Sequence, residues 1–301
     1  MSQSTTVEVV CALCGSHERE ILGTFQFSGQ MLGLAKCRVC GLVYVSPRLT
    51  DEAMDEYWRS YMERDYRLHW EQLQAEQLPT IMHDLDLLES YGAPGRLLDV
   101  GCGGGFFMKH AAERGWQPVG VDVSRLACDL VRQKFSLPVF CGELEDASFT
   151  EGSFDAVTCF NTFPYFANPL SKAKEMNRVL EHSGLLLVRV PNKIPYVELW
   201  LTLSSILRRN WDRESRSLDS VPIFLSNHLV HFSTSTIRAL LVKARFQTVE
   251  VFNTPAVFYS SNSTVRWVMR GLNLISSVIL SITGRRWCIA PSVTVLAHKA
   301  G

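Results

Sequence analysis

The chain of 301 residues carries no surplus of charge: 30 Lys and Arg balance 30 Asp and Glu. Without a basic excess there is no broad attraction to a phosphate backbone or an anionic surface, and only local patches remain open as contacts of that kind. Long apolar runs are also missing. The longest candidate, the uncharged stretch 271–284, has fourteen residues where a bilayer-spanning helix needs about twenty, so a transmembrane helix is not expected. Residues 1–10 lack both the basic start and the apolar core of a secretory signal, and a cytoplasmic protein is expected. No internal repeat or low-complexity tract is present. Nine cysteines cannot all pair, and five of them, Cys102, Cys128, Cys141, Cys159 and Cys288, are scattered where a reduced thiol serves as a small hydrophobe.

The other four cysteines are grouped. Cys11-x-x-Cys14, twenty-two intervening residues and Cys37-x-x-Cys40-Gly41 form the pattern of a zinc ribbon. Two tight turns there present four thiolates for a tetrahedral structural Zn2+, with no position left open for chemistry. A disulfide or redox pair is the alternative. Lys36 and Arg38 make only a thin basic cluster, which argues against nucleic acid as a partner. Residues 1–48 are assigned to this module. From Thr50 to Tyr91 the pattern is helical, with Thr50 as N-cap, Asp51 and Glu52 in the first turn and a break expected at Pro79; residues 49–92 form a connector.

The third region, 93–301, is organised around Arg96-Leu-Leu-Asp-Val-Gly-Cys-Gly-Gly-Gly105. Leu97, Leu98 and Val100 read as a short buried strand. Four glycines within five residues then allow a sharp turn into a helix from about Phe106. Such a junction is expected to aim unpaired N–H groups and a helix dipole into the crevice at the carboxyl edge of a parallel sheet. The spacing is not the G-x-G-x-x-G of dinucleotide binding, and Asp99 would repel a pyrophosphate while suiting a ligand that carries an ammonium and a sulfonium. A second strand, 117–121, ends in Asp122, positioned for ribose hydroxyls.

These segments, LLDVGCGGG and VGVDVS, resemble the first two signature segments of class I S-adenosylmethionine-dependent methyltransferases. The resemblance implies an α/β, Rossmann-like seven-stranded sheet, here with an N-terminal zinc ribbon and helical substrate-cap insertions at 191–232 and 253–290. It implies S-adenosylmethionine as cofactor, held by Asp99, Gly101, Cys102, Gly103, Asp122, Val123, Glu143, Leu144 and Asn161. Glu143 takes the adenine amino group, with Asp146 as its competitor, and the Leu144 N–H meets a ring nitrogen. A wall of Tyr57, Tyr61 and Tyr66 over the cofactor is weighed against packing of the connector, and packing is favoured. Where many relatives carry Glu-His after the fourth strand, this chain has Pro164 and Tyr165, so any role of that pair is lost.

The segment Ser226-Asn-His-Leu-Val-His-Phe-Ser233 resembles that of zinc-ribbon-bearing sugar C-methyltransferases, in which a histidine serves as general base. His228 falls on that position, ahead of His231, with Asn227 replacing the preceding glutamate. The activity implied is methyl transfer to a small-molecule or lipid-linked acceptor, possibly a sugar. The alternatives are an O- or N-methyltransferase without a dedicated base and a binding protein that keeps the fold without catalysis. Finally, Val265–Gly284 reads as an apolar helix bearing a small polar stripe of Asn273, Ser276, Ser277 and Ser281, with arginines and Trp267 and Trp287 at its margins. Packing is its expected role, and contact with a membrane interface is the alternative. The oligomeric state is not legible in the sequence.

Overall fold

The computed structural model describes residues 5–61, 67–192, 228–254, 263–283 and 288–300. The N-terminal module is built from β1 (Thr6–Val7), β2 (Arg19–Phe27), β3 (Gln30–Cys37), β4 (Val43–Val45) and β5 (Arg48–Leu49). β2, β3 and β4 form an antiparallel sheet, and β1 pairs with β5. Its core is small, with Phe25, Leu32, Leu34, Leu42 and Tyr44 buried, so a cross-link is expected to carry part of the stability.

The connector comprises α1 (Asp51–Tyr61) and α2 (Arg67–Glu89). α2 runs through Pro79, contrary to the expected break. The proline forfeits one hydrogen bond, but Ile81, Leu85 and Leu88 beyond it are buried against the sheet and hold the helix on course. Tyr57 packs at a tilt against Phe27 of the N-terminal module, with ring centroids 4.8 Å apart, which is the packing role. The Tyr61 side chain and Tyr66 lie outside the described residues.

The main domain alternates β6 (Arg96–Val100), α3 (Phe106–Glu113), β7 (Gln117–Asp122), α4 (Arg125–Phe135), β8 (Val139–Cys141), β9 (Phe154–Phe160), α5 (Pro169–Val179) and β10 (Leu180–Pro191). There follow β11 (Val230–His231), α6 (Thr234–Lys243), β12 (Phe246–Asn253), α7 (Ser263–Ile282) and β13 (Ser292–Lys299). Seven strands form one sheet in the order β12-β13-β10-β9-β6-β7-β8, all parallel except β13. Its strands are nearly continuous apolar runs, such as Leu185–Val188 and Ala156–Cys159, as helices on both faces require. Two turns hold Ser183 and Arg245 in the left-handed region, at φ 68° and 66°.

Two polar contacts fasten the layers. Arg189, on β10, pairs with the buried carboxylate of Asp84 on α2, and its guanidinium lies 4.6 Å from the Phe160 ring centroid. Lys243, at the end of α6, donates to the Leu13 carbonyl inside the first cysteine pair, at 3.0 Å.

Most of the first region expected as an insertion, 191–232, lies outside the described residues, at 193–227. Its last part has an unforeseen place: β11 joins the ribbon sheet, giving the order β11-β4-β3-β2, with Val230 opposite Tyr44 and His231 opposite Val43. The N-terminal module and the main domain therefore share a sheet.

Candidate active site and metal centre

The glycine turn lies at the carboxyl edge of the sheet, between β6 and α3. Gly101, Gly103 and Gly105 have φ of 72°, 51° and 79°, a left-handed run that glycine adopts without strain. A Cβ on Gly101 would fall 2.3 Å from the Thr162 Oγ1, so the loop after β9 packs directly on the turn.

The expected row of unpaired N–H groups is corrected by the structure. Gly101 and Cys102 both donate to the Val121 carbonyl, at 2.7 and 3.2 Å, and Gly105 donates to the Cys102 carbonyl at 3.0 Å. Gly103 donates to Asp122 Oδ2 at 2.9 Å. Adjacent parallel strands end side by side, so the end of β7 satisfies the turn that leaves β6. What the structure requires of Gly101 and Gly105 is the left-handed turn itself and close packing, against Thr162 and Val131.

Asp122 is the hub of this edge. Its Oδ1 accepts from the Ser124 N–H at 2.8 Å while Oδ2 holds Gly103. Burial raises its pKa, and the two amide donors oppose that rise. Each oxygen retains a lone pair for a ligand hydroxyl. Val123, beside it, is an exposed apolar residue.

Asp99 is placed differently. Only 3% exposed, it accepts from the Thr158 hydroxyl at 2.7 Å, beneath the turn. Burial pushes its pKa up to about 7, against the lowering effect of Thr158 and with a further rise from Asp122. The sole hint of Thr158 in the sequence is one hydroxyl within the apolar run of β9.

At the next loop, Glu143 is exposed and accepts from Lys172 Nζ on α5, at 2.5 Å; Lys172 is also bonded to Glu145. Glu143 is thus steadied from a distant helix, a partnership with no signal in local sequence. Asp146 is exposed, Leu144 is buried, and Asn161 sits in the left-handed region at φ 58° as its N–H donates to the Arg189 carbonyl. Cys102 is buried, its thiol raised in pKa by burial.

Pro164 and Tyr165 form a short 3-10 turn over 163–165 on the same edge. Here the structure brings in His228. Its buried ring meets the Tyr165 ring edge-on, with centroids 4.9 Å apart, and His231 lies 5.7 Å away. The next residue links three segments: Leu229 N–H donates to the Pro164 carbonyl at 2.8 Å, and its carbonyl accepts from the Val45 N–H at 2.9 Å. The ribbon thereby holds the histidine segment against the loop after β9.

The four grouped cysteines converge in space. Their sulfurs lie within 4.8 Å of one another, with Cys11 and Cys40 3.4 Å and Cys14 and Cys37 3.5 Å apart. Disulfide sulfurs would be about 2.05 Å apart, whereas thiolates around Zn2+ at about 2.3 Å stand just under 4 Å from each other. The two turns match: Gly15 donates to the Cys11 carbonyl and Gly41 to the Cys37 carbonyl, with φ of 74° and 75°. Burial raises the Cys11 thiol; at Cys37 burial is outweighed by the amides of Cys40 and Val39, which bring it down to about 7. The donor set fits a structural Zn2+. The five remaining cysteines are free thiols.

Comparison with known proteins bears on the domain. Residues 98–188 match a family model described as a methyltransferase domain. Over 116 residues the chain is 30% identical to the ubiquinone biosynthesis O-methyltransferase of Alkalilimnicola ehrlichii, covering 36% of this chain and 47% of that protein. It is 26% identical over 172 residues to the biotin biosynthesis bifunctional protein BioHC of Cellvibrio japonicus, covering 56% of this chain and 34% of that one. The chain spans about half the length of the first of these relatives. Among solved structures, a SAM-dependent methyltransferase from Thermotoga maritima superposes with a TM-score of 0.54 at 18% identity, covering 80% of this chain and 99% of that one. Magnesium protoporphyrin IX methyltransferase from Synechocystis, solved with bound SAH, gives 0.52 at 12% identity, covering 81% and 99%. The strand order agrees with the Rossmann-like fold of these solved methyltransferases, and within it residues 98–188, which include the glycine turn, match a methyltransferase domain.

Proposed function

We propose that this chain transfers a methyl group from S-adenosylmethionine to a small-molecule acceptor, with His228 taking the acceptor's proton. The observation that carries the reading is the meeting, at one carboxyl edge, of the Asp122-braced glycine turn and the His228 ring on Tyr165. Asp122 would hold the ribose, Val123 and the Leu144 N–H the adenine with Glu143, and Gly101, Cys102, Gly103, Asn161 and Asp99 the amino-acid end. The cofactor supplies an electrophilic methyl carbon. What remains for the chain is to hold the acceptor in line, exclude water and accept a proton.

The relatives named as O-methyltransferases support an acceptor oxygen, whose proton a neutral imidazole can take. A sugar acceptor is the second reading, favoured by the cysteine cluster together with the strand that ties His228 to the ribbon. The zinc site is structural in both readings. The cytoplasm remains the proposed setting.

The test is calorimetric titration of the zinc-loaded protein with S-adenosylhomocysteine, beside Asp122→Ala, followed by labelled-methyl assays on phenolic and sugar acceptors. Micromolar binding lost in Asp122→Ala is expected. His228→Ala is expected to lose about a hundredfold in turnover with homocysteine-cofactor binding unchanged. A folded, zinc-loaded protein that gives no heat would leave a fold without its cofactor and sink the proposal.

A further inference from the structure

Helix α7 is dressed for an environment other than water. It rests on the protein through Ser276 and Leu280, both buried. The Ser276 hydroxyl donates to Asn253 Oδ1 at 3.0 Å and accepts from the N–H groups of Ile289 and Ala290, at 3.0 and 2.9 Å. The anchor at the centre of the packed face is therefore polar. The opposite face is apolar: Leu274 is 71% exposed, Ile275 and Val278 53%, and Ile282 79%. At about 100° per residue these four positions fall within one arc of about 100°, so they form a continuous stripe. Other exposed large apolar side chains among the described residues, such as Met31, Val39 and Val242, lie on separate elements, as is ordinary for a protein surface.

Charge identifies what covers the stripe. The chain is neutral as a whole, yet no Asp or Glu occurs from Val251 to Gly301, while Arg266, Arg270, Arg285 and Arg286 all fall there. An apolar stripe inside an acid-free, arginine-bearing segment complements acyl chains beneath anionic headgroups. No described helix is long and apolar enough to cross a membrane, so the helix would lie in the interface plane. The placement is also directional. β12 runs parallel to β10 and ends at Asn253, whose side chain bonds Ser276 and Ser277, so α7 is anchored at the carboxyl edge of the sheet, the edge that carries the glycine turn.

We infer that the outer face of α7, formed by Leu274, Ile275, Val278 and Ile282, docks the protein on an anionic lipid surface. The surface argument stands independently of methyl transfer.

The experiment is co-sedimentation of the full zinc-loaded chain with phosphatidylcholine vesicles, with and without phosphatidylglycerol, at low and high salt. Light scattering of the lipid-free protein accompanies it. Two variants are compared, Leu274→Glu with Ile282→Glu, and Arg285→Gln with Arg286→Gln. The first pair changes exposed side chains, so its thermal unfolding is expected to match that of the unaltered chain. Binding that requires phosphatidylglycerol, weakens with salt and falls on the order of tenfold or more in each variant is the expected result. Equal binding to neutral vesicles, equal binding by the folded variants, or no binding would overturn the inference. A dimer that Leu274→Glu with Ile282→Glu disperses, without vesicle binding, would assign the stripe to a second copy instead.

Discussion

Asp99→Asn isolates the electrostatic cost built into the carboxyl edge of the sheet. A carboxyl whose folded pKa is raised holds its proton more tightly in the folded chain than in the unfolded one. Folding is therefore increasingly penalised as pH climbs from the ordinary value of 3.8 to about 7, and the penalty is constant above that. At about 1.4 kcal/mol per pH unit, the interval amounts to about 4 kcal/mol. Asparagine cannot ionise, and its Oδ1 can keep the Thr158 hydroxyl that now donates at 2.7 Å. The variant's stability relative to the parent is expected to rise from near zero at about pH 4 to as much as about 4 kcal/mol at about pH 8, less a fraction for the weaker hydrogen bond. Urea unfolding of the zinc-loaded protein across that range measures the difference.

A ligand arm follows from the same number. Near pH 7 about half of the molecules carry the Asp99 proton, and a ligand bearing an ammonium and a sulfonium would expel it. S-adenosylmethionine binding should then release about half a proton per site, read as a dependence of the binding heat on buffer ionisation enthalpy, and Asp99→Asn should abolish it. A stability difference that stays flat across the pH range would refute the reasoning, because the buried carboxyl would then have an ordinary pKa.

Removing zinc with a chelator is expected to loosen the ribbon sheet and with it Val230 and His231, so amide exchange over 228–231 should accelerate and methyl transfer fall while S-adenosylhomocysteine still binds. Asp84→Ala leaves the buried Arg189 guanidinium without its partner and should cost about 3–5 kcal/mol in denaturant unfolding; Asp84→Leu with Arg189→Met should recover most of that. Gly101→Ala places a Cβ against Thr162 at a left-handed φ, and calorimetry should show at least about a tenfold loss of S-adenosylhomocysteine affinity with lowered stability.

The local elements were legible because their causes are local. Apolar runs such as Leu185–Val188 define strands covered on both faces, Ser124 caps α4 through its own hydroxyl, and paired cysteines three apart define tight turns suited to a metal. Pro79 misled for a related reason: propensity places a break there, but burial of Ile81, Leu85 and Leu88 outweighs one lost hydrogen bond.

The candidate site divides along the same line. Sequence spacing alone marked Gly101, Asp122 and the four cysteines, since a turn, a strand end and a tetrahedral ligand set each need particular residues at fixed separations. Tertiary structure decided how those groups are occupied. It spends the turn's N–H groups on Val121 and Asp122, buries Asp99 against Thr158, ties Glu143 to Lys172 and seats His228 on Tyr165 by adding Val230 and His231 to the ribbon sheet. Each of these is a contact between residues far apart in the chain. No local propensity encodes such a contact; it exists only once the packed sheet has brought both partners to the same edge.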